Sequence, residues 1–381
     1  MLKIGMAGAR CLSFALGFKN HPEDVELTAL CDLDENVLKE NAEKHGITKT
    51  YRVYEDMLES DIDAVVVATP MQFHAEQVIK ALEAGKHVLS EVTAGVTMDE
   101  LWWLIEAVEK SGKTYMFAEN YAYIPQNQVI AGMVKDGLFG RLYFGEGEYL
   151  HNIRDRLVYP DGKKTWRNWW QCGKRGCFYP THSVGPVMQW FANGGDKIKS
   201  VISLGSGQNV AKETGLRQDD TTITLCRLES GGLVNVRVDC MSNRPHNLSY
   251  YSLQGTNGCY EAPRGLGDDH KVWINDGVSD AFSPKWQPLS DYYEKYLPDR
   301  FKNATEEQKN TGHWGGDFFL VDDFLEAVKT GAKPAIDIYD ACEWTAVGLL
   351  SEISATNNGR EIMMPDFRGN LPLEQQITKL F

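Results

Sequence analysis

Residues 2–8 (LKIGMAG), 26–32 (ELTALCD) and 63–69 (DAVVVAT) are short runs rich in Val, Ile and Leu, the pattern of strands buried on both faces. Helical patterns lie between and after them. In MQFHAEQVIKALEAG, Val78, Ile79 and Leu82 share one face and Gly85 offers a helix stop. TMDELWWLIEAVEKSG opens on a capping box, Thr97 with Glu100, and carries Leu101, Leu104, Ile105 and Val108 on one stripe. Such alternation predicts an α/β arrangement, a doubly wound parallel sheet, to about residue 120.

Beyond that point the pattern changes. LYFGEGEYL, VISLGSG, TTITLCRLESGGLVNVRVD and LSYYSLQGTNGCYEA read as strands, with hairpin turns at Gly231-Gly232 and Asn257-Gly258. Helices are expected near 127–137, 186–193, 316–329 and 339–355. We therefore expect a dinucleotide-binding domain over 1–123. An α+β domain over 124–381, with a large, mostly antiparallel open sheet, would bind substrate and support self-association. A chain of 381 residues is long enough for two cores.

Composition narrows the partners. A formal charge of −14, with no basic stripe, argues against nucleic acid. The eight cysteines form no C-x-x-C pair, which reads as reduced thiols and not a disulfide frame or zinc site. The spacing requires no metal. No export signal is visible in MLKIGMAG and no apolar run is long enough for a membrane span, so no membrane partner is expected and the cytoplasm is the expected compartment.

After the first strand, Gly8-Ala9-Arg10-Cys11-Leu12-Ser13 stands where G-x-G-x-x-G would, keeping the first glycine. Gly8 allows the tight strand-to-helix turn, backbone amides there can hold a pyrophosphate, and Arg10 adds charge. Asp32, 24 residues beyond Gly8, ends the second strand, where its carboxylate can accept hydrogen bonds from an adenosine ribose and repel a 2′-phosphate. NAD is favoured over NADP. His74 and Glu91 fall on the same carboxyl edge, though His74 can equally cap its helix.

One loop asks for chemistry. In GKRGCFYPTHSVGP, Pro180 biases Tyr179 toward an extended conformation and Pro186 can open a helix carrying Val187, Met188 and Trp190, leaving His182 just before its N-terminus. The positive end of that helix would favour an enolate formed nearby. Trp166, Trp169 and Trp170 can either stack on sugar faces or belong to a core. His313 and Asp317 in HWGGDF can approach the site or cap a helix.

HVLSEVTAGVT resembles the Glu-Lys-Pro segment of the Gfo/Idh/MocA oxidoreductases, with Val92 and Thr93 in place of Lys and Pro. AENYAY, GLFGRLYFGEGEYLHNIRD, WRNWW, YPTHSVGP, QGTNGCYEAP, HWGGDF and MMPDFRG resemble, in order, segments of the NAD-dependent glycosidases of glycoside hydrolase family 109, which also carry Glu-Val. Known members include α-N-acetylgalactosaminidases. The resemblance implies an N-terminal Rossmann domain. It also implies NAD contacts from Gly8, Arg10, Cys11, Asp32, Met71, Gln72, Phe73, His74, Glu91, Val92 and Asn120, although Met71 and Phe73 depart from the family's aromatic pattern. Substrate contacts would be Tyr149, Arg167, Tyr179, Pro180, Thr181, His182 and Tyr260, and Ser183 departs from the family's usual glycine. Catalytic roles fall on Glu119, His151, Tyr179 and His182, with Tyr260 also discussed in the family.

The reaction implied is glycoside hydrolysis through transient oxidation, C3 being the expected carbon, C1–C2 elimination, water addition and re-reduction, one of the exceptions to two-carboxylate chemistry. Tyr179 would be the C2 base, His182 or His151 would move protons at C3 or the leaving group, and Arg167 and Tyr149 would orient the sugar. Two alternatives stand beside it: a sugar dehydrogenase that releases a keto-sugar, and an inactive regulator that senses NAD or sugar. The open sheet offers a face for a homo-oligomer, a dimer or tetramer.

Overall fold

The computed structural model describes residues 1–369 apart from 211, 213–214, 276 and 278–283, and of Arg10 and Cys11 the backbone alone. The chain forms two compact units, Met1–Ile124 with Ala304–Thr345, and Pro125–Asn303 with the C-terminal remainder.

The first unit is built on six parallel strands: β1 Leu2–Ala7, β2 Val25–Cys31, β3 Lys49–Tyr51, β4 Ala64–Val67, β5 His87–Ser90 and β6 Tyr115–Phe117. Their order is β3-β2-β1-β4-β5-β6, so the strand sequence reverses at β1, where such sheets bind ligands beyond the carboxyl ends. All of β4 and β6 is buried, as expected for strands covered on both faces. The helices between them are capped as their sequences predict. Asp34 accepts from the amides of Asn36 and Val37 at the head of helix Glu35–His45, and Thr97 and Glu100 complete their capping box.

Assigning everything after residue 123 to one domain does not match the packing, because 304–345 folds with the first unit. The reasons are local. Gly17 lies against Val321, the rings of His21 and Phe318 stack at 5.5 Å, the Phe117 amide donates to the Ile336 carbonyl at 3.1 Å, and the Ala94 amide donates to Thr345 Oγ1 at 3.1 Å.

The second unit holds nine strands: β7 Leu142–Leu150, β8 Ile198–Gly205, β9 Thr222–Leu228, β10 Leu233–Asp239, β11 Asn247–Gly255, β12 Gly258–Glu261, β13 Lys271–Ile274, β14 Gln287–Pro288 and β15 Ile362–Met363. Only the β7–β10 pair is parallel; the other neighbours in β14-β13-β12-β11-β7-β10-β9-β8-β15 run antiparallel. Burial in β9 alternates residue by residue, so one face is core and the other open. Helix Thr181–Ala192 packs on the core face against β7, β10 and β11. Gly145 and Gly147 make that approach possible: a Cβ on Gly145 would meet Val187 at 2.5 Å, and one on Gly147 would run into the Ser183 carbonyl.

Candidate active site

In the first unit, the residues predicted to hold a dinucleotide gather at the carboxyl ends of the strands. Gly8 adopts φ +85°, and a Cβ there would sit 2.7 Å from the Ala68 carbonyl, so this turn needs glycine. The chain then enters no long helix but a 3-10 turn, Ala9–Ser13, and the five-residue helix Ala15–Lys19. The side chains of Arg10 and Cys11 lie outside the described residues. Asp32 is half-buried at the end of β2, its Oδ2 accepting from the Ala9 amide at 2.9 Å and its Oδ1 from the Asp34 amide at 3.0 Å.

After β4, Met71–Phe73 forms another 3-10 turn with Met71 buried and Phe73 exposed. His74 behaves as a clamp. Its Nδ1 lies 2.8 Å from the Thr93 carbonyl and its Nε2 2.7 Å from the Thr69 carbonyl, tying the turn after β4 to the turn after β5, and burial pushes its pKa down. Both ring nitrogens are thus engaged within the protein. Glu91 and Val92 are buried at the end of β5, and the Val92–Thr93 peptide is cis.

Beyond β6, Glu119 is buried and its Oε1 accepts from the Tyr121 amide at 3.2 Å. Asn120 donates from Nδ2 to Asp317 Oδ1 at 2.9 Å and stands 2.9 Å from His313 Nδ1, which in turn lies 3.0 Å from Asp317. The HWGGDF segment therefore supports Asn120 rather than merely capping its own helix. Three buried acceptors on this edge, Ser13 Oγ, Gln72 Oε1 and Asn120 Oδ1, have no hydrogen-bond partner among the described residues. Orphaned polar atoms around a glycine turn and a strand-end carboxylate are what a polar dinucleotide would satisfy, so the residues present fit NAD.

In the second unit, the end of β7 and the first turn of helix Thr181–Ala192 bring four predicted residues together. Tyr149 Oη and His151 Nδ1 are 2.6 Å apart. The Tyr149 ring lies 5.8 Å from Tyr179 and 5.1 Å from His182, and Tyr179 and His182 meet edge to face at 5.3 Å. Burial, then the nearby charges of Arg156, His246 and Arg167, push the His151 pKa down to about 4. Arg167 bonds Gln171 and lies over the Trp166 ring at 4.4 Å. Trp169 is exposed.

The helix start differs from the reading that Pro186 would open it. The helix begins at Thr181, so His182 sits in its first turn and Pro186 lies inside. Proline has no N–H for the carbonyl four residues back, and that carbonyl is His182's; the Tyr251 hydroxyl donates to it at 2.6 Å instead. Pro180 is the N-cap, and the hydroxyls of Thr181 and Ser183 are buried without a partner among the described residues.

Tyr260 does not join this group. It is 0% exposed, its hydroxyl lies 2.9 Å from His270 Nδ1, its ring packs 5.9 Å from Trp190, and burial holds its pKa well above the usual tyrosine value. It sits opposite Leu253 and Val272, both buried, on the core face of the sheet, which is why it reaches the core. One further residue escaped the sequence reading: His246, whose ring meets His151 at 4.9 Å, stands in a loop with no motif to mark it.

Residues 123–371 match the family description "Glycosyl hydrolase 109, C-terminal domain", and residues 2–119 match "Oxidoreductase family, NAD-binding Rossmann fold". A glycosyl hydrolase family 109 protein of Shewanella pealeana is 31% identical over 91% of this chain and 81% of its own length. The chain belongs to glycosyl hydrolase family 109. Another family 109 relative, an α-N-acetylgalactosaminidase of Shewanella oneidensis, is 31% identical over 91% of this chain and 80% of its own. Solved structures share the fold: levoglucosan dehydrogenase in complex with NADH and levoglucosan (TM-score 0.78, 19% identity, 96% of this chain and 100% of that one) and an oxidoreductase domain protein from Kribbella flavida (TM-score 0.79, 21% identity, 96% and 99%). As a family 109 member the protein is an NAD-dependent enzyme of the Gfo/Idh/MocA type.

Proposed function

We propose that this enzyme hydrolyses a sugar glycoside by transient oxidation at C3, C1–C2 elimination, addition of water and re-reduction. NAD, held by the Gly8 turn, Asp32 and Asn120, would supply the two-electron acceptor and donor for C3. The remaining steps are proton movements for the chain's own residues. His182 takes the O3 proton, the task that Val92 cannot perform in place of a lysine. The C3 ketone acidifies the C2 proton; Tyr179, acting as its phenolate, removes it and hands it to the leaving oxygen as the C1–O bond breaks. Water then adds at C1, its proton passes through Tyr179 to C2, and His182 returns its proton to O3 as C3 is re-reduced. Tyr149, held against His151, and Arg167 orient the sugar. Glu119 is buried close to Asn120 and is assigned to holding that end of the NAD site.

The observation that carries this reading is the packing of Tyr149, His151, Tyr179 and His182 into one cluster in a chain whose other unit has an NAD-binding fold. A hydrolase that regenerates its cofactor needs none added. An α-N-acetylgalactosaminide, the substrate class named for one relative, is the first glycoside to assay. The expected result is multiple turnovers on the bound NAD of the purified enzyme; steady NADH accumulation with excess NAD⁺ and release of a keto-sugar would contradict it, and so would an enzyme inert toward every glycoside.

The same reading includes self-association and a reducing compartment. Leu204, Ile223, Leu225 and Leu233 share the open sheet face, 39–59% exposed, with Arg227, Asn235 and Arg237 between them, a mixed apolar and polar patch that a second copy of the chain would cover. The seven described cysteines are all free, which suits the cytoplasm. Among the described residues no helix is long and apolar enough to cross a membrane.

A further inference from the structure

A cavity of about 470 Å³ is lined by His151, Asn152, Arg154, Asp155, Arg156 and His246. Its lining is polar throughout. The chain carries 53 acidic against 39 basic residues, so an arginine here has an excess of carboxylates to pair with. Neither arginine does so. Arg154 is steadied by neutral amide oxygens: its backbone N–H and Nε donate to Asn152 Oδ1 at 3.2 and 3.1 Å, and its Nη2 donates to Asn243 Oδ1. That arrangement fixes the guanidinium without cancelling its charge. Arg156 makes no ion pair and no side-chain hydrogen bond among the described residues, and Asp155 is the one acid on the cavity wall.

From this geometry we infer that the cavity is an anion subsite, which receives a carboxylate or sulfate ester carried by the glycoside. A guanidinium fork held by amides suits a planar or tetrahedral oxyanion, and a second guanidinium and two imidazoles can close around it. The groups that set its charge are Arg154 and Arg156, with Arg167 nearby, against Asp155; His151 and His246 complete the wall. His151 belongs to both the cavity and the Tyr149 cluster, which ties an anion held here to the sugar held there. Burial first, and then Arg156 and His246, depress the pKa of His151, the charged neighbours marking a positive potential at that wall. An anion in the cavity would offset it.

The inference rests on the glycosidase reading for its substrate class, but its test reads binding alone, so each fails separately. Inorganic sulfate, D-glucuronate and, as neutral control, D-glucose are titrated into the full-length protein by calorimetry, with the histidine ring signals followed by NMR. Saturable binding of sulfate, of glucuronate or of both is expected, with shifts of the His151 and His246 signals. Arg154→Gln and Arg156→Gln should each weaken it about ten-fold or more, with partial recovery in the lysine variants. Sulfate alone would identify a sulfate ester as the ligand and glucuronate alone a carboxylate. Absence of saturable binding of either anion, binding that leaves both imidazoles unmoved, or equal affinity for glucose overturns the subsite. The wild-type ring shifts decide the matter even where a glutamine variant does not fold.

Discussion

Tyr179 and His182 are separated by a Pro-Thr step, yet their rings meet edge to face at 5.3 Å because Pro180 ends the loop and Thr181 starts the helix. A phenol and an imidazole so placed can divide two proton transfers between them, one at C2 and one at O3. Tyr179→Phe should lower kcat by about 10²-fold or more, the scale of a lost general base, while the purified protein keeps its NAD; an enzyme as active as the wild type removes Tyr179 from the chemistry. His151 gives a pH prediction. Its pKa lies near 4 instead of the ordinary 6.5, so the folded ring stays neutral where an unfolded one already binds a proton. A depressed histidine therefore costs stability as pH falls from 6.5 toward 4 and leaves stability untouched above that window. An NMR titration of the His151 ring should show a midpoint well below 6.5; a midpoint at or above it contradicts the burial and the neighbouring charges described here.

The site depends on how closely helix Thr181–Ala192 lies on β7, and that in turn depends on Gly147. Gly147→Ala would drive a methyl into the Ser183 carbonyl, which is backbone and cannot swing aside, so the helix must lift. A loss of about 1–3 kcal/mol in denaturant unfolding is expected, with kcat falling further than stability accounts for, because His182 moves with the helix. Unchanged stability would mean that the approach is looser than described. The elements themselves were largely legible beforehand. Thr97 with Glu100 marked a helix start, and apolar runs marked the strands of the first unit. The start of helix Thr181–Ala192 was not legible, since a proline at residue 186 reads as a helix opener until the tertiary structure supplies the Tyr251 hydroxyl in place of the missing N–H. The core position of Tyr260 was hidden for the same kind of reason: a motif gives a residue's identity but not the sheet face on which it falls.

At the level of the whole chain, the open face of the nine-stranded sheet carries Ile223 and Leu225 into solvent. If this face joins two copies, as proposed, Ile223→Lys should convert the oligomer to monomer in sedimentation, since a second cation beside Arg237 is costly to bury; a wild-type chain that sediments as a monomer rules the interface out. Residues 304–345 show where sequence order and spatial order part: the segment is remote along the chain but folds with the first unit, and through His313 and Asp317 it braces Asn120. Local periodicity holds no record of such long-range packing. The same limit hid His246 and the cavity it lines. The central claim, that a sugar oxidised for part of each cycle lets its C2 carbon ionise, is tested most directly by running turnover in deuterated water and examining the released sugar by mass spectrometry and NMR. One solvent deuteron at C2 is predicted, with C3 retaining its original hydrogen; a released sugar with no deuterium at C2 would contradict the account.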